Sequence, residues 1–341
     1  MLRGLFKKWQ EPVGFLYNRS SMPAAEIAMN IKNIVGKCHA IGLTVLATVC
    51  DQGVNNVKAI NLLFKESKRM KHMKGEEWHK DTIIINNKSI VAYYNPPHLL
   101  KSMRNNLLTK DLKFVQNEIQ KTASWSHIVI AYNIDRSNNI RVMHKINDQH
   151  IFPEKMKKMK LSIAAQIFSE SVAAKPYILH NQKPKGKAFN IGLAFVELGS
   201  QKKEIGNTSV QNIIRIPGVQ LDSKGLDTAE FILAMDKVFD SVNGAFGKSS
   251  PGKFLKGFVS PKSQHSAEWL RALQIFNSMV FVKSKPTDRA NPPILQGWRQ
   301  TINGFFTNQK SLIDLGFKTF SPRMLNQDPL ENFLGQIRQY G

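Results

Sequence analysis

Only two cysteines, Cys38 and Cys50, occur in the 341 residues, and they form no CxxC pair. That excludes a cysteine-based zinc finger and a disulfide framework. Both thiols are expected reduced in a core, which suits an intracellular compartment. No apolar run reaches the roughly 18 residues of a membrane-spanning helix. The start, Met1-Leu2-Arg3-Gly4-Leu5-Phe6-Lys7-Lys8, has too few apolar residues for a secretory signal and reads as the beginning of a strand. The nine histidines show no metal-ligand spacing, and no internal repeat is present. Acidic residues are scarce: 25 Asp and Glu face 48 Lys and Arg, a formal charge of +23. Such a surface attracts polyanions, nucleic acid first among them, but charge alone names no activity. What the chain does have is 42% hydrophobic residues. That is enough for a real core, and the length suits two domains or one domain with a large insertion.

Residues 1–20 read as two short strands, with Pro12 and Gly14 near the connection. Residues 23–40 read as a helix: Pro23 suits a first turn, Ile27, Ile31, Ile34 and Val35 recur at helical spacing, and Gly42 ends it. Leu43 to Cys50 is a continuous apolar, β-branched run, the pattern of a buried central strand. It ends on Asp51, before a helical stretch from Asn55 to Glu66 and a charged, mobile-looking segment over 65–82. A second apolar run, Ser89 to Tyr94, meets Asn95-Pro96-Pro97-His98. The region to about 320 reads as mostly helical, as in Glu154–Ala174 and Thr228–Phe239, with basic loops at 181–187 and 244–257. In Asn326–Gln339, Leu330, Phe333, Leu334 and Ile337 predict one buried helix face. The opening order of strand, strand, helix, strand, helix is α/β, with a carboxylate where open α/β sheets place functional residues.

Several residues have suitable chemistry. Asp51 and Glu331 are oxygen ligands of the kind that two-metal phosphoryl transfer requires. Asp51 equally suits a helix N-cap, and Glu331 a solvated helix position. The two prolines after Asn95 start a helix whose N-terminus, with Lys101 one turn in, can receive an anion; a plain strand-to-helix connection reads the same way. In Phe239-Asp240-Ser241-Val242-Asn243, the carboxylate can accept both donors of a guanine edge and the ring can stack on the base, although a helix C-terminus is the simpler reading. Gly247-Lys248-Ser249 imitates the end of a Walker A loop, but Val242 stands where the first glycine must be and no apolar strand leads in.

Four segments in order along the chain resemble the P-element transposase family, including the THAP-domain transposases. Gly4–Val13 resembles the second and third strands of the family's sheet. Ala47-Thr48-Val49-Cys50-Asp51-Gln52-Gly53 resembles its second catalytic carboxylate motif. Asn95-Pro96-Pro97-His98-Leu99-Leu100-Lys101-Ser102-Met103-Arg104-Asn105 resembles its D-x-P-H-L-x-K-x-x-R-N motif. Leu325 to Arg338 resembles the segment with its last catalytic glutamate. The resemblance implies a ribonuclease H-like core split by a large, mostly α-helical GTP-binding insertion: 1–84 and 323–341 for the core, 85–322 for the insertion. It implies Asp51 and Glu331 as catalytic ligands of Mg²⁺ or Mn²⁺. For GTP it implies Lys101 at phosphate, Asp240 at the guanine edge, Phe239 at the base face, and Asn95, Asn243 and Asp328 nearby. It further implies transposon-end and target DNA as partners, a homo-oligomeric full-length parent and a nuclear location.

The departures carry their own expectations. No Asp precedes Asp51, so the family's first catalytic Asp and its strand are expected to be missing, and Asn95 replaces the Asp of the D-x-P-H motif. The family's zinc-binding DNA reader and its coiled coil are likewise expected to be absent. The chain therefore reads as a transposase fragment that does not cut DNA alone, or as a derived GTP- and nucleic-acid-binding module that acts as a repressor or an interaction partner.

Overall fold

The computed structural model describes residues 1–7, 9–16, 21–78, 81–139, 141–181, 224–244, 252–283, 289–290 and 292–340. Gly247-Lys248-Ser249 and most of the loop at 181–187 lie outside them. The chain divides into two compact units. One is Met1–Leu99 with Asp240–Leu273 and Pro293–Gly341; the other is Leu100–Phe239 with Gln274–Pro292. The segment limits expected at 84/85 and 322/323 do not coincide with these units.

The first unit opens with a short antiparallel pair, β1 (Leu2–Arg3) and β2 (Gln10–Glu11). Helix α1 (Ala24–Ala40) follows and ends at Gly42, whose φ of +83° suits a residue without Cβ. Strand β3 (Ala47–Cys50), helix α2 (Val54–Met73), β4 (Thr82–Ile85) and β5 (Lys88–Tyr94) complete the sheet. Its order is β3-β5-β4, with β3 parallel and β4 antiparallel to β5. The β4–β5 hairpin turns on Asn86 and Asn87, at φ 52° and 60°, the left-handed pair of a two-residue hairpin that Asn tolerates best after Gly.

Alternation along β5 serves both faces. Ile90 and Ala92 pack with Val35, Ala59, Ile60 and Leu63 of α1 and α2. Val91 and Tyr93 face α10 (Pro293–Asp314), where Gly304 allows the helix to approach so closely that a Cβ would lie 2.7 Å from the Val91 side chain. The Tyr93 hydroxyl donates to the Gly304 carbonyl at 2.8 Å, and Gln300 donates to the Ala92 carbonyl at 3.1 Å. These bonds tie the helix to the buried part of the strand, where Val91 and Tyr93 face it.

Three expectations are corrected here. The strand expected over 43–50 covers only Ala47–Cys50, is half-buried and lies at the edge of the described sheet; β5 is the central strand. Residues 43–46 are spent on leaving α1, where the Leu43 N–H caps the Cys38 carbonyl at 2.9 Å, and on reaching the ladder. The charged segment over 65–82 is helical as far as Met73. Its charges form the solvent face of α2, and buried Ser67 is satisfied by donating to Leu63 O and accepting from Ile84 N. Lastly, α11 (Asp328–Tyr340) is a helix, but its apolar face is not buried: Leu334 is 38% and Ile337 48% exposed.

The second unit begins inside α3 (Pro96–Leu107). It is mostly helical: α4 (Trp125–Arg136), α5 (Asp148–Ile151), α6 (Leu161–Ile167), α7 (Glu170–Asn181) and most of α8 (Lys224–Val242). It also holds a four-stranded antiparallel sheet in the order β7-β6-β8-β9, made by β6 (Asp111–Gln116), β7 (Ile119–Ala123), β8 (Val280–Val282) and β9 (Arg289–Ala290). The single helix expected over Glu154–Ala174 is two. Ser169 divides them, its hydroxyl closing α6 on Gln166 O while its carbonyl receives the first N–H groups of α7. The rings of Phe114, Phe168 and Phe231 form the centre of this unit.

Candidate functional site

The carboxyl ends of β3 and β5 lie side by side; Asp51 follows β3 three residues before α2, and Asn95 directly precedes α3. Asp51 turns back on the entry to α2: its Oδ1 accepts from Gly53 N at 2.9 Å and from Asn56 Nδ2 at 2.6 Å. The N-cap reading of Asp51 is corrected: the N-cap of α2 is Gly53, without a side-chain cap, and one Asp51 oxygen is committed to the turn before it. Cys50 is kept a thiol, its pKa pushed up to about 12 by burial and by the Asp51 charge beside it.

Asn95 is fully buried. Its N–H donates to Cys50 O at 2.8 Å, and its carbonyl accepts from His98 and Leu99 at the start of α3. The side chain leaves α3 and reaches α11 instead. Nδ2 donates to Glu331 Oε1 at 3.2 Å, and Oδ1 accepts from Gln327 N at 3.2 Å. His98 meets the same Glu331 oxygen through Nε2 at 2.9 Å; a carboxylate only accepts, so Nε2 carries the hydrogen. Gln327 Nε2 in turn donates to Val49 O at 3.4 Å. Glu331 is thus held at the carboxyl ends of β3 and β5, the pole that also carries Asp51.

The same segment gathers two of the residues carried over for GTP. Asn326 donates to Asn243 Oδ1 at 3.0 Å, and its own Oδ1 accepts from Asp328 N at 3.2 Å. The Asp328 carboxylate pairs with Arg323 at 3.2 Å. Asp240, only 7% exposed, is paired with Lys253 at 3.1 Å and Lys256 at 3.5 Å. Lys101 and Phe239 belong to the second unit and are half-buried. Asn95 is the residue whose placement differs most from its sequence role, since it contacts Glu331. The sequence reading missed His98, which stood in a quoted motif with no role assigned, and Lys253 and Lys256. A nearby basic pair is the usual company of a buried carboxylate, but spacing along the chain does not say which lysines will supply it.

Fit to the implied ligands follows from these contacts. Among the described residues no three His, Cys, Asp or Glu side chains come together in a way that could hold a metal ion. Of the two carboxylates expected to do so, each has one oxygen committed to protein donors. This donor set does not fit a pair of divalent cations. Guanine fits on one condition. The carboxylate acceptor exists in Asp240, but both lysines must give way; their side chains are 25% and 43% exposed, so the exchange trades one solvated partner for another.

Two family models match segments of the chain. Residues 1–64 match the model "TNP-like, RNase H N-terminal domain" and residues 97–207 match "TNP-like, GTP-binding insertion domain". The Transposable element P transposase of Drosophila melanogaster is 29% identical over 175 residues, 51% of this chain and 21% of its own. The human DNA transposase THAP9 is 24% identical over 99% of this chain and 33% of its own. The chain therefore spans a third or less of the length of these relatives. A solved structure, the Drosophila P element transposase strand transfer complex, superposes with a TM-score of 0.72 at 22% identity, covering 99% of this chain and 64% of that one. Together, the ribonuclease H-like unit, the helical second unit and these matches place the chain in the P-element-type transposase family.

Proposed function

We propose that the chain is a GTP- and DNA-binding part of a P-element-type transposase and that it does not cut DNA by itself. The observation that carries this reading is the succession, in one chain, of a ribonuclease H-like segment and a GTP-binding insertion segment, at 1–64 and 97–207. In the parent reaction a water would attack a phosphodiester at the transposon end and release its 3′ hydroxyl, which would then attack a target phosphodiester, forming a new P–O bond and displacing the target strand's 3′ oxygen as a hydroxyl. Mg²⁺ or Mn²⁺ would supply charge stabilisation in such a reaction. By the resemblance, Asp51 and Glu331 would take the strand and helix positions of two of the catalytic carboxylates, although their donor set does not fit two cations. The net charge of +23 supplies attraction to both DNA and nucleotide.

In the nucleotide role, Asp240 would accept from guanine, Phe239 would stack on it, and Lys101 would meet phosphate; Asn243 and Asp328 would complete the surroundings. GTP would organise the protein–DNA assembly rather than be hydrolysed for energy. The parent would act in the nucleus as a homo-oligomer. A binding module that joins intact subunits and represses them is the second reading. It is favoured by Asn95, where the family motif has a carboxylate.

Supercoiled plasmid incubated with the purified chain and either Mg²⁺ or Mn²⁺ is expected to stay unnicked, at the level of Asp51→Ala. Nicking that disappears in Asp51→Ala would overturn the non-cutting half of the proposal.

A further inference from the structure

Two helix N-termini meet at Glu331. Asn95 opens α3 and Gln327 opens α11, since the Asn95 carbonyl accepts Leu99 N at 3.1 Å and the Gln327 carbonyl accepts Glu331 N at 3.0 Å. The Asn95 side chain bridges them with both halves of its amide: the oxygen takes the Gln327 N–H and the nitrogen donates to Glu331. His98 supplies a second donor to the same Oε1. Only a neutral amide can do both jobs at this buried position. An Asp there would keep the bond from Gln327 N–H, but would set a second carboxylate where Glu331 now receives a hydrogen bond. The Glu331 side chain is 47% exposed, so solvent screens part of the repulsion, but the buried partner leaves a pair of like charges that a proton or a cation between them relieves.

From this geometry we propose that Asn95 and His98 are positioning residues that lock Glu331 by one oxygen, and that the Asn95 amide stands in for a cation. Charge at position 95 decides whether the lock needs metal. With Asn95 in place, this chain holds its glutamate through the Asn95 amide and the His98 ring. The lock is indifferent to the divalent-cation supply, and Glu331 keeps its place in the isolated chain. The inference rests on the transposase reading only for the catalytic meaning of Glu331.

The test compares the thermal midpoints of wild type, Asn95→Asp, Asn95→Ala and Asn95→Asp/Glu331→Gln in EDTA and in Mg²⁺ or Mn²⁺. Manganese binding is followed by loss of the free-ion paramagnetic resonance signal. Wild type should melt at the same temperature in EDTA and in cation. Asn95→Asp should melt lower in EDTA, by about 3–6 °C, recover in cation and take up Mn²⁺. Asn95→Ala should melt lower in both media, with no recovery. Adding Glu331→Gln to Asn95→Asp should remove the cation dependence and the Mn²⁺ uptake, and should restore folding if Asn95→Asp is insoluble. The inference is overturned if Asn95→Asp matches wild type in EDTA, if its cation dependence survives Glu331→Gln, or if an insoluble Asn95→Asp is not rescued. These readouts involve neither GTP nor DNA cleavage, so failure of the proposed function and failure of this inference register in different experiments.

Discussion

Asp135→Ala is expected to cost about 3–5 kcal/mol, the penalty of breaking a buried ion pair from one side. Asp135 and Lys175 are both fully buried in the second unit, 3.3 Å apart. The carboxylate also accepts from Val142 N at 2.9 Å and Met143 N at 3.1 Å, and it pairs with Arg141 at 3.3 Å. It therefore fastens the loop after α4 and neutralises an ammonium on α7. Burial already holds the Lys175 pKa below the ordinary lysine range, and Asp135 acts against that shift. Alanine removes the opposing charge and leaves two backbone N–H groups without their acceptor. Denaturant unfolding at neutral pH measures the loss. Replacing both partners, as Asp135→Leu/Lys175→Met, should cost less than the single Asp135→Ala, because no uncompensated charge stays buried. A single substitution within about 1 kcal/mol of wild type would contradict this account of the unit.

Trp269→Ala should cost a similar amount in the first unit, about 3–5 kcal/mol, since it combines lost burial with a cavity. The indole is fully buried, with Phe305 at 5.4 Å and Phe306 at 5.3 Å between ring centroids, and its N–H donates to Ser241 Oγ at 3.0 Å. Phe305 also contacts Tyr93 of the central strand, at 4.9 Å. Trp269 therefore packs α9 (His265–Ser278) against α10 and, through Phe305, the sheet, beside the Ser266–Gln309 hydrogen bond. Trp269→Phe keeps much of the ring packing and loses the hydrogen bond, so it should fall between wild type and alanine. Equal midpoints for Trp269→Phe and Trp269→Ala would assign the cost to the hydrogen bond with Ser241 rather than to packing.

Much of the first unit was legible because its signals are local. The Ile27, Ile31, Ile34, Val35 spacing and Pro23 locate α1, and the apolar run from Ser89 ending at Asn95-Pro96 locates β5 and the start of α3. What was misread depended on distant partners. Leu43 to Cys50 has the composition of a central strand, yet the sheet gives that place to β5, whose two faces are covered by segments 30 residues upstream and 200 downstream in the sequence, order-of-magnitude separations that no local pattern carries. In the second unit β6 alternates, with Leu112 and Phe114 inward, but β7 alternates weakly, and their turn uses Asn117-Glu118 at φ 52° and 64° in place of the Asn-Gly or Asp-Gly that marks such a hairpin. Strand β8, which pairs with β6, comes only after α9.

The site was legible to a different degree. Asp51 and Glu331 could be named from chemistry and motif order, and the structure places both at the same pole. Spacing could not show that Asn95 would cap one helix with its backbone and hold another with its side chain. Nor could it show that Lys253 and Lys256 would fold back onto Asp240. Both arrangements depend on which donors the tertiary packing brings to each acceptor.

The central claim, a GTP-binding insertion in a P-element-type transposase chain, is tested most directly by titration calorimetry of GTP into wild type and Asp240→Ala. Wild type should bind GTP in preference to ATP, and Asp240→Ala should weaken GTP at least about tenfold, or about 1.4 kcal/mol, while leaving ATP unchanged. Absence of GTP binding in the folded wild type, or equal GTP affinity in both proteins, would contradict it.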